Sequence, residues 1–264
     1  MTESCPGVTV VVRAHNEEKN IVRCLNSLLI QNYLFDTIII NNGSVDKTQA
    51  CVEKFLAKNP SFPAGIINES KRGRGIALHR GIDYAKTDIV VCLDADTYTT
   101  RPDWLEKLTA PLIKNQKVVA SSVRIKFYNG PFHPQLLYAA VRGLTYAISA
   151  SLDQGWLSLA NSALRKSVYY EIGGTEELNG DYPEDRILAL KLRFWGKIVY
   201  VHDALAYTQN WLLDKKTWGT HLIDELDTIR DLMKVHESQF HRSVRLISLL
   251  CAHWDQLKIN LTGR

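Results

Sequence analysis

Asp88-Ile-Val-Val-Cys-Leu-Asp-Ala-Asp96 is an apolar run that stops on two carboxylates one residue apart. The stretch 89–93 is short and rich in β-branched residues, the pattern of a buried strand. Side chains alternate across a strand, so an extended backbone projects Asp94 and Asp96 to one side and Ala95 to the other. Two like charges held that close repel unless a cation or strong donors sit between them. Hard divalent ions such as Mg²⁺ or Mn²⁺ prefer such oxygen ligands. A capping Asp followed by a turn Asp ahead of Pro102 accounts for the same residues without any ligand.

The flanking chain repeats the strand-then-helix pattern. Residues 8–12 read as a first strand and 19–30 as a helix with Ile21, Val22, Leu25, Leu28 and Leu29 on one face. A second strand at 37–40 runs into the turn Asn41-Asn-Gly-Ser44, and Ser44 or Asp46 can cap the helix that follows, to about residue 59. A third strand, 64–68, precedes the basic loop Lys71-Arg-Gly-Arg-Gly75 and a helix to about residue 85. After the 89–93 strand come a helix at 103–115 and a fifth strand at 118–123. Apolar strands alternating with helices predict an α/β fold: a Rossmann-like, mostly parallel sheet flanked by helices. Ligands in such sheets bind outside the C-terminal strand ends. That puts His15, Asn16, Glu17, Asn41, Asn42, Arg72, Arg74, Asp94 and Asp96 on one rim.

The second half is less regular. Residues 134–153 read as a long helix, 156–164 as a strand, and 165–174 as a short helix stopped by Gly173-Gly174. Pro183-Glu-Asp-Arg186 opens a helix that Gly196 ends, and a strand at 197–201 leads into His202. From residue 218 the chain reads as two helices, giving one domain over 1–208 (a 1–123 half and a 124–208 half) with a helical extension, 209–264.

Composition narrows the function classes. At 264 residues the chain can bury a full core. A net charge of +4 is too small for a nucleic-acid partner and suits a small anionic substrate. The 5 cysteines form no CxxC, which fits a reduced, cytoplasmic setting. Neither a secretory leader nor a membrane-spanning run is expected. The basic, apolar tail around Arg242, Arg245, Leu246, Leu250 and Trp254 packs on the domain, pairs in a homodimer, or lies at the inner face of a membrane bearing a lipid acceptor. Gly73-Arg-Gly75 lacks the third glycine of a dinucleotide fingerprint, and no GxxxxGK[ST] occurs. The loop does set Lys71, Arg72 and Arg74 beside a helix start, where a diphosphate would be welcome, though a solvated basic turn reads the same.

Five segments in order resemble glycosyltransferase family 2: Val10-Val-Val-Arg-Ala-His-Asn-Glu-Glu18, Asn41-Asn-Gly-Ser-Val-Asp-Lys-Thr48, Arg72-Gly-Arg-Gly-Ile-Ala77, Leu93-Asp-Ala-Asp-Thr97 (a DXD motif) and Glu184-Asp185. Asn161-Ser-Ala-Leu-Arg165 with Ile172-Gly-Gly174 looks like that family's acceptor-side segment, so the resemblance covers about residues 8–208. It implies a GT-A fold, with a smaller mixed sheet on the acceptor side, and a hexosyltransferase. By resemblance, Ala14, Asn16 and Glu17 line the nucleotide site, Asn42 meets the base, and Arg72 and Arg74 lie near the diphosphate. Asp94 contacts the ribose side and the metal, Asp96 holds Mn²⁺ or Mg²⁺, and His202 completes the metal shell. Asp185, assisted by Glu184, is the general base of an inverting enzyme. The chemistry is consistent: a cation and Arg74 neutralise the leaving diphosphate, and a carboxylate across the sugar deprotonates the acceptor hydroxyl. A helix N-terminus would keep Asp185 ionised.

Many relatives carry acids where this chain has Asn41-Asn42, so a UDP-linked donor is favoured without excluding another base. Residues 209–218 lack the Gln-x-x-Arg-Trp motif of processive polysaccharide synthases, which favours transfer of single sugars to a glycan, lipid or other hydroxyl acceptor. A retaining GT-A enzyme, a sugar nucleotidylyltransferase and a degenerate domain that only binds are the competing readings.

Overall fold

The computed structural model describes residues 7–128, 140, 141, 143–145, 148, 157–175, 184–209, 226, 229 and 230. The expected 134–153 helix lies mostly outside these residues, and the tail beyond Gln209 almost wholly so. The chain divides into two compact units, Met1–Asn129 with Gln154–Gln209, and Gly130–Asp153 with Asn210–Arg264. The first carries all the elements below.

In chain order these are β1 (Val8–Ala14), α1 (Ile21–Leu29), β2 (Phe35–Asn42), α2 (Thr48–Lys58), β3 (Ala64–Glu69), α3 (Arg74–Tyr84), β4 (Ile89–Asp94), β5 (Thr97–Tyr98), α4 (Trp104–Lys114), β6 (Val118–Phe127), β7 (Asn161–Arg165), α5 (Lys166–Glu171), α6 (Glu184–Leu192) and β8 (Lys197–Thr208). The described strands form one eight-stranded sheet in the order β3-β2-β1-β4-β7-β6-β8-β5. The four on the β3 side are parallel to their neighbours. Beyond β4 the sheet turns mixed: β7 runs antiparallel to both β4 and β6, β6 and β8 are parallel, and β5 is antiparallel to β8. The parallel half and the mixed half, expected to be a separate smaller sheet, are therefore continuous. The expected 118–123 strand extends to Phe127, and the expected 156–164 strand starts only at Asn161.

Alternation along the central strands sorts the core onto two faces. Val8, Val10, Val12, Val91 and Leu93 pack with Leu25, Leu28, Val52, Leu105 and Leu108 of α1, α2 and α4. Val11, Val90 and Cys92 face the other way, against Leu78 and Ile82 of α3 and Leu188 and Leu192 of α6. Residues 13 and 94 continue this second set, so their side chains leave the sheet toward α3 and α6. On α1 the buried stripe is Ile21, Cys24, Leu25 and Leu28; Val22 and Leu29, expected to join it, are 38% and 42% exposed.

Close approach of α3 to β1 depends on Gly81, where an added Cβ would come within 2.2 Å of Val11 Cγ1. Val11 is buried and stiff at χ1, so it cannot swing away. Gly81→Ala is therefore expected to lower stability by about 1–3 kcal/mol in urea denaturation, despite alanine's better helix propensity. A stabilised variant would show that the helix can lift off the strand freely.

Candidate active site

The strand order reverses between β1 and β4, and their carboxyl ends open the crevice where a doubly wound sheet binds ligands. Arg13 and Asp94 are register partners at those ends. The Arg13 guanidinium is buried and grips Asp94 Oδ1 through Nε at 2.9 Å and Nη2 at 2.6 Å. Its Nη1 lies 3.6 Å from Glu184 Oε1, at the start of α6, and donates to the Arg74 carbonyl at 3.5 Å. Glu184 is buried and also receives Arg74 Nε at 3.1 Å. Burial opposes a charge on Arg13, but Asp94, Glu184 and Asp185 outweigh it and hold the guanidinium more firmly protonated than a free arginine. Sequence reading passed over Arg13. A basic residue closing an otherwise apolar strand was the available signal, since a buried arginine needs an acid.

Asp185 follows Glu184 and accepts the Leu159 N–H through Oδ2 at 3.1 Å. Burial, then the Glu184 charge, push its carboxyl up to about 7, and Arg13 and Arg74 offset only part of this. This shift runs opposite to the one expected from the helix end, because a dipole contribution of about 1 kcal/mol is smaller than the cost of a second buried carboxylate.

β4 stops at Asp94, and a turn carries the chain through a buried Ala95 to Asp96, so both acids stay partly open while Ala95 is covered. Burial, then Asp94 and Glu17, push Asp96 up to about 7. Thr97 donates to it at 3.2 Å, and among the described residues no basic side chain pairs with it. Asp96, short of positive charge beside an Asp94 already paired with Arg13, offers oxygen donors that fit a hard divalent cation. Among the described residues no cluster of three or more His, Cys, Asp or Glu side chains could hold a metal, so substrate or water oxygens would complete the shell, as Mg²⁺ commonly requires.

His202 is not brought to this pair. Sequence reading ended the last strand at Val201, whereas β8 continues to Thr208 past a bulge, and it is Thr208 that pairs with Thr97 beside Asp96. On the neighbouring β6, the partners of Val201 and Thr208 are Val123 and Phe127, four positions apart, which is about 13 Å of strand. His202 is exposed, its ring against Tyr200.

The loops after β1 and β2 are tied together. Asn16 adopts a left-handed φ of 56°, tolerable for Asn, and its side chain accepts the Val45 N–H at 2.9 Å. The Glu17 N–H bonds Thr48 Oγ1 at 2.7 Å, and Asp46 caps α2 through the Thr48 N–H at 2.9 Å. Ala14 is buried at the end of β1, and Arg72 is exposed. Asn42 accepts the Gly73 N–H at 3.0 Å and donates to the Lys71 carbonyl at 2.7 Å, so its amide fastens the glycine loop.

The model of glycosyl transferase family 2 matches residues 9–173. The chain belongs to glycosyltransferase family 2. A 4,4'-diaponeurosporenoate glycosyltransferase of Staphylococcus aureus is 28% identical over 185 residues, 65% of this chain and 47% of that protein. A mannosyltransferase from Pyrobaculum calidifontis, solved with GDP-Man and Mn²⁺, superposes with a TM-score of 0.66 at 17% identity over 96% of this chain and 80% of its own. Glucosyl-3-phosphoglycerate synthase of Mycobacterium tuberculosis, solved with Mn²⁺, UDP and phosphoglyceric acid, gives 0.60 at 20% identity over 87% and 79%. These likenesses establish the GT-A fold. The chain spans less than half the length of the curated relatives it matches. Among the described residues of this family member, no helix is long and apolar enough to cross a membrane.

Two predictions follow from the charges. Arg13→Gln leaves Asp94 and Glu184 without their buried partner and should cost about 3–5 kcal/mol in chemical denaturation; a loss below about 1 kcal/mol would show the ion pair to be dispensable. Asp185 is raised in the folded protein, so its contribution to stability is complete below its unfolded pKa of about 3.9 and is lost as pH rises through about 7. Asp185→Asn, which keeps an acceptor for Leu159, should therefore gain stability over the parent between pH 4 and 7 and hold a constant advantage above. Melting curves across that range would contradict this if the difference were flat.

Proposed function

We propose that the chain transfers a single sugar from a nucleotide-sugar donor to a hydroxyl acceptor, a glycan or lipid-linked one, with inversion at the anomeric carbon and dependence on Mn²⁺ or Mg²⁺. The observation that carries this is the Arg13 bridge, which holds Asp94 on β4 and Glu184 on α6 to one guanidinium and keeps Asp185 within electrostatic reach of both. In this reading Asp96 and Asp94 hold the cation, which supplies positive charge to the leaving diphosphate, and Arg74 adds to it. Ala14, Asn16 and Glu17 line the nucleotide pocket, while Arg72 stands outside on the loop. Glu184 positions Arg74 through their 3.1 Å contact and does not itself move a proton. Asp185 takes the proton of the acceptor hydroxyl, and a carboxyl poised near 7 is well matched to that task. UDP heads the donor screen. Because Asn42 spends its amide on the 71–73 loop, base discrimination falls to other groups on the rim.

The test is a thermal-shift screen of UDP, GDP, CDP, dTDP and ADP with and without Mn²⁺, followed by anomeric NMR of the product. One nucleotide should stabilise the protein in a metal-dependent way, and Asp96→Asn should abolish that shift. Asp185→Asn should keep the shift while lowering turnover roughly 100- to 10,000-fold, and wild-type turnover should rise with pH through about 7. Full turnover by Asp185→Asn removes it from the role of base, and retained anomeric configuration would favour the retaining alternative.

A further inference from the structure

Beside the Asp96 end of the site stands a cation that this chemistry does not use. Arg23, on the exposed side of α1, has no acidic partner among the described residues. It is nevertheless held in place. Its guanidinium carbon lies 4.2 Å from the centre of the Tyr128 ring and 4.9 Å from that of Tyr98, and Nη2 donates to Tyr128 Oη at 2.7 Å and Asn20 Oδ1 at 3.2 Å. Tyr98 is itself stacked on Tyr207, with centres 5.4 Å apart and planes 23° from parallel. Both tyrosines belong to the β5–β8 pair that also contains Thr97, the donor to Asp96.

Asn20 completes the mounting. It is buried, and its amide donates to Glu17 Oε2 at 2.8 Å and Gln209 Oε1 at 2.6 Å while its oxygen receives Arg23 and Tyr128. Arg23 is thereby linked through one saturated amide to Glu17 on the nucleotide loop. A surface arginine normally keeps its rotamer freedom, and fixing one costs entropy. Stacking across ring faces holds the guanidinium plane, and with Nη2 spent on Tyr128 and Asn20 the Nε–H and Nη1–H donors are left for an anionic oxygen.

We propose that Arg23, mounted on Tyr98, Tyr128 and Asn20, is a binding site for a phosphoryl group at the Asp96 end of the crevice. Assigning that group to a sugar donor's diphosphate or to an acidic acceptor rests on the transfer reading above; the anion site itself does not.

The test compares wild type with Arg23→Gln by calorimetric titration. The probes are inorganic phosphate alone, then UDP, GDP, CDP, dTDP and ADP, each with its monophosphate, in the presence of Mn²⁺. Because Arg23 is exposed, the variant should melt with the wild type. Phosphate affinity should fall about tenfold or more, and Arg23→Lys, which keeps the charge but not the planar group stacked on the rings, should restore it only in part. If the diphosphate weakens in step while its monophosphate does not, the donor is the source. If nucleotide binding is unchanged while phosphate binding is lost, the acceptor carries the acid group. Equal phosphate affinity in wild type and variant, or no phosphate binding by wild type, overturns the proposal. A wild-type protein that takes phosphate through Arg23 but binds no nucleotide would sink the transfer reading and leave this site standing.

Discussion

A guanidinium buried at the carboxyl end of the first strand holds three distant parts of this chain to one point. Arg13 reaches Asp94 across the β1–β4 ladder and Glu184 at the start of α6, and Glu184 in turn holds Arg74 at the start of α3. Taking that many charges out of water is costly, and the arrangement persists because each buried charge meets an opposite one. The direction in which Arg13 leaves the sheet comes from the pleat. Val11, two residues earlier, already packs toward α3 and α6, so residue 13 must follow.

The same burial that orders the site leaves its acids uneasy. Asp96 and Asp185 are both pushed up to about 7, each by burial first and a neighbouring carboxylate second. Asp94 has Arg13 at 2.6 Å, whereas among the described residues Asp96 has hydroxyl donors only, Thr97 and Thr208. One acid of the pair is thus neutralised from within, and the other is left with a need for external positive charge. A protein selected for stability alone would not keep this arrangement. It suits a site whose charges are completed by what it binds.

Glycine and asparagine do quieter work in the loops around these acids. Asn16 takes a left-handed turn after β1, and Asn42 closes the 71–73 segment onto the end of β2. The loops after β1 and β2 are bonded to each other through Asn16, Glu17, Asp46 and Thr48, so the rim is a connected scaffold.

The sequence by itself determined the first four strands, their helices and the rim onto which Asn16, Glu17, Arg74, Asp94 and Asp96 fall, because period-two apolar runs and Gly, Asn and Asp turn residues act within a few positions of one another. Local signals failed where the element was short or interrupted, as in the two-residue β5 and in β8, whose bulge hid the stretch between His202 and Thr208. Only the tertiary structure decided that β7 inserts beside β4, that Asn42 fastens the 71–73 loop, and that Arg13, separated from Asp94 by 81 positions, is the cation at the centre. Which charge meets which depends on strand register and on where α6 docks, and both are set by packing between segments far apart in the chain.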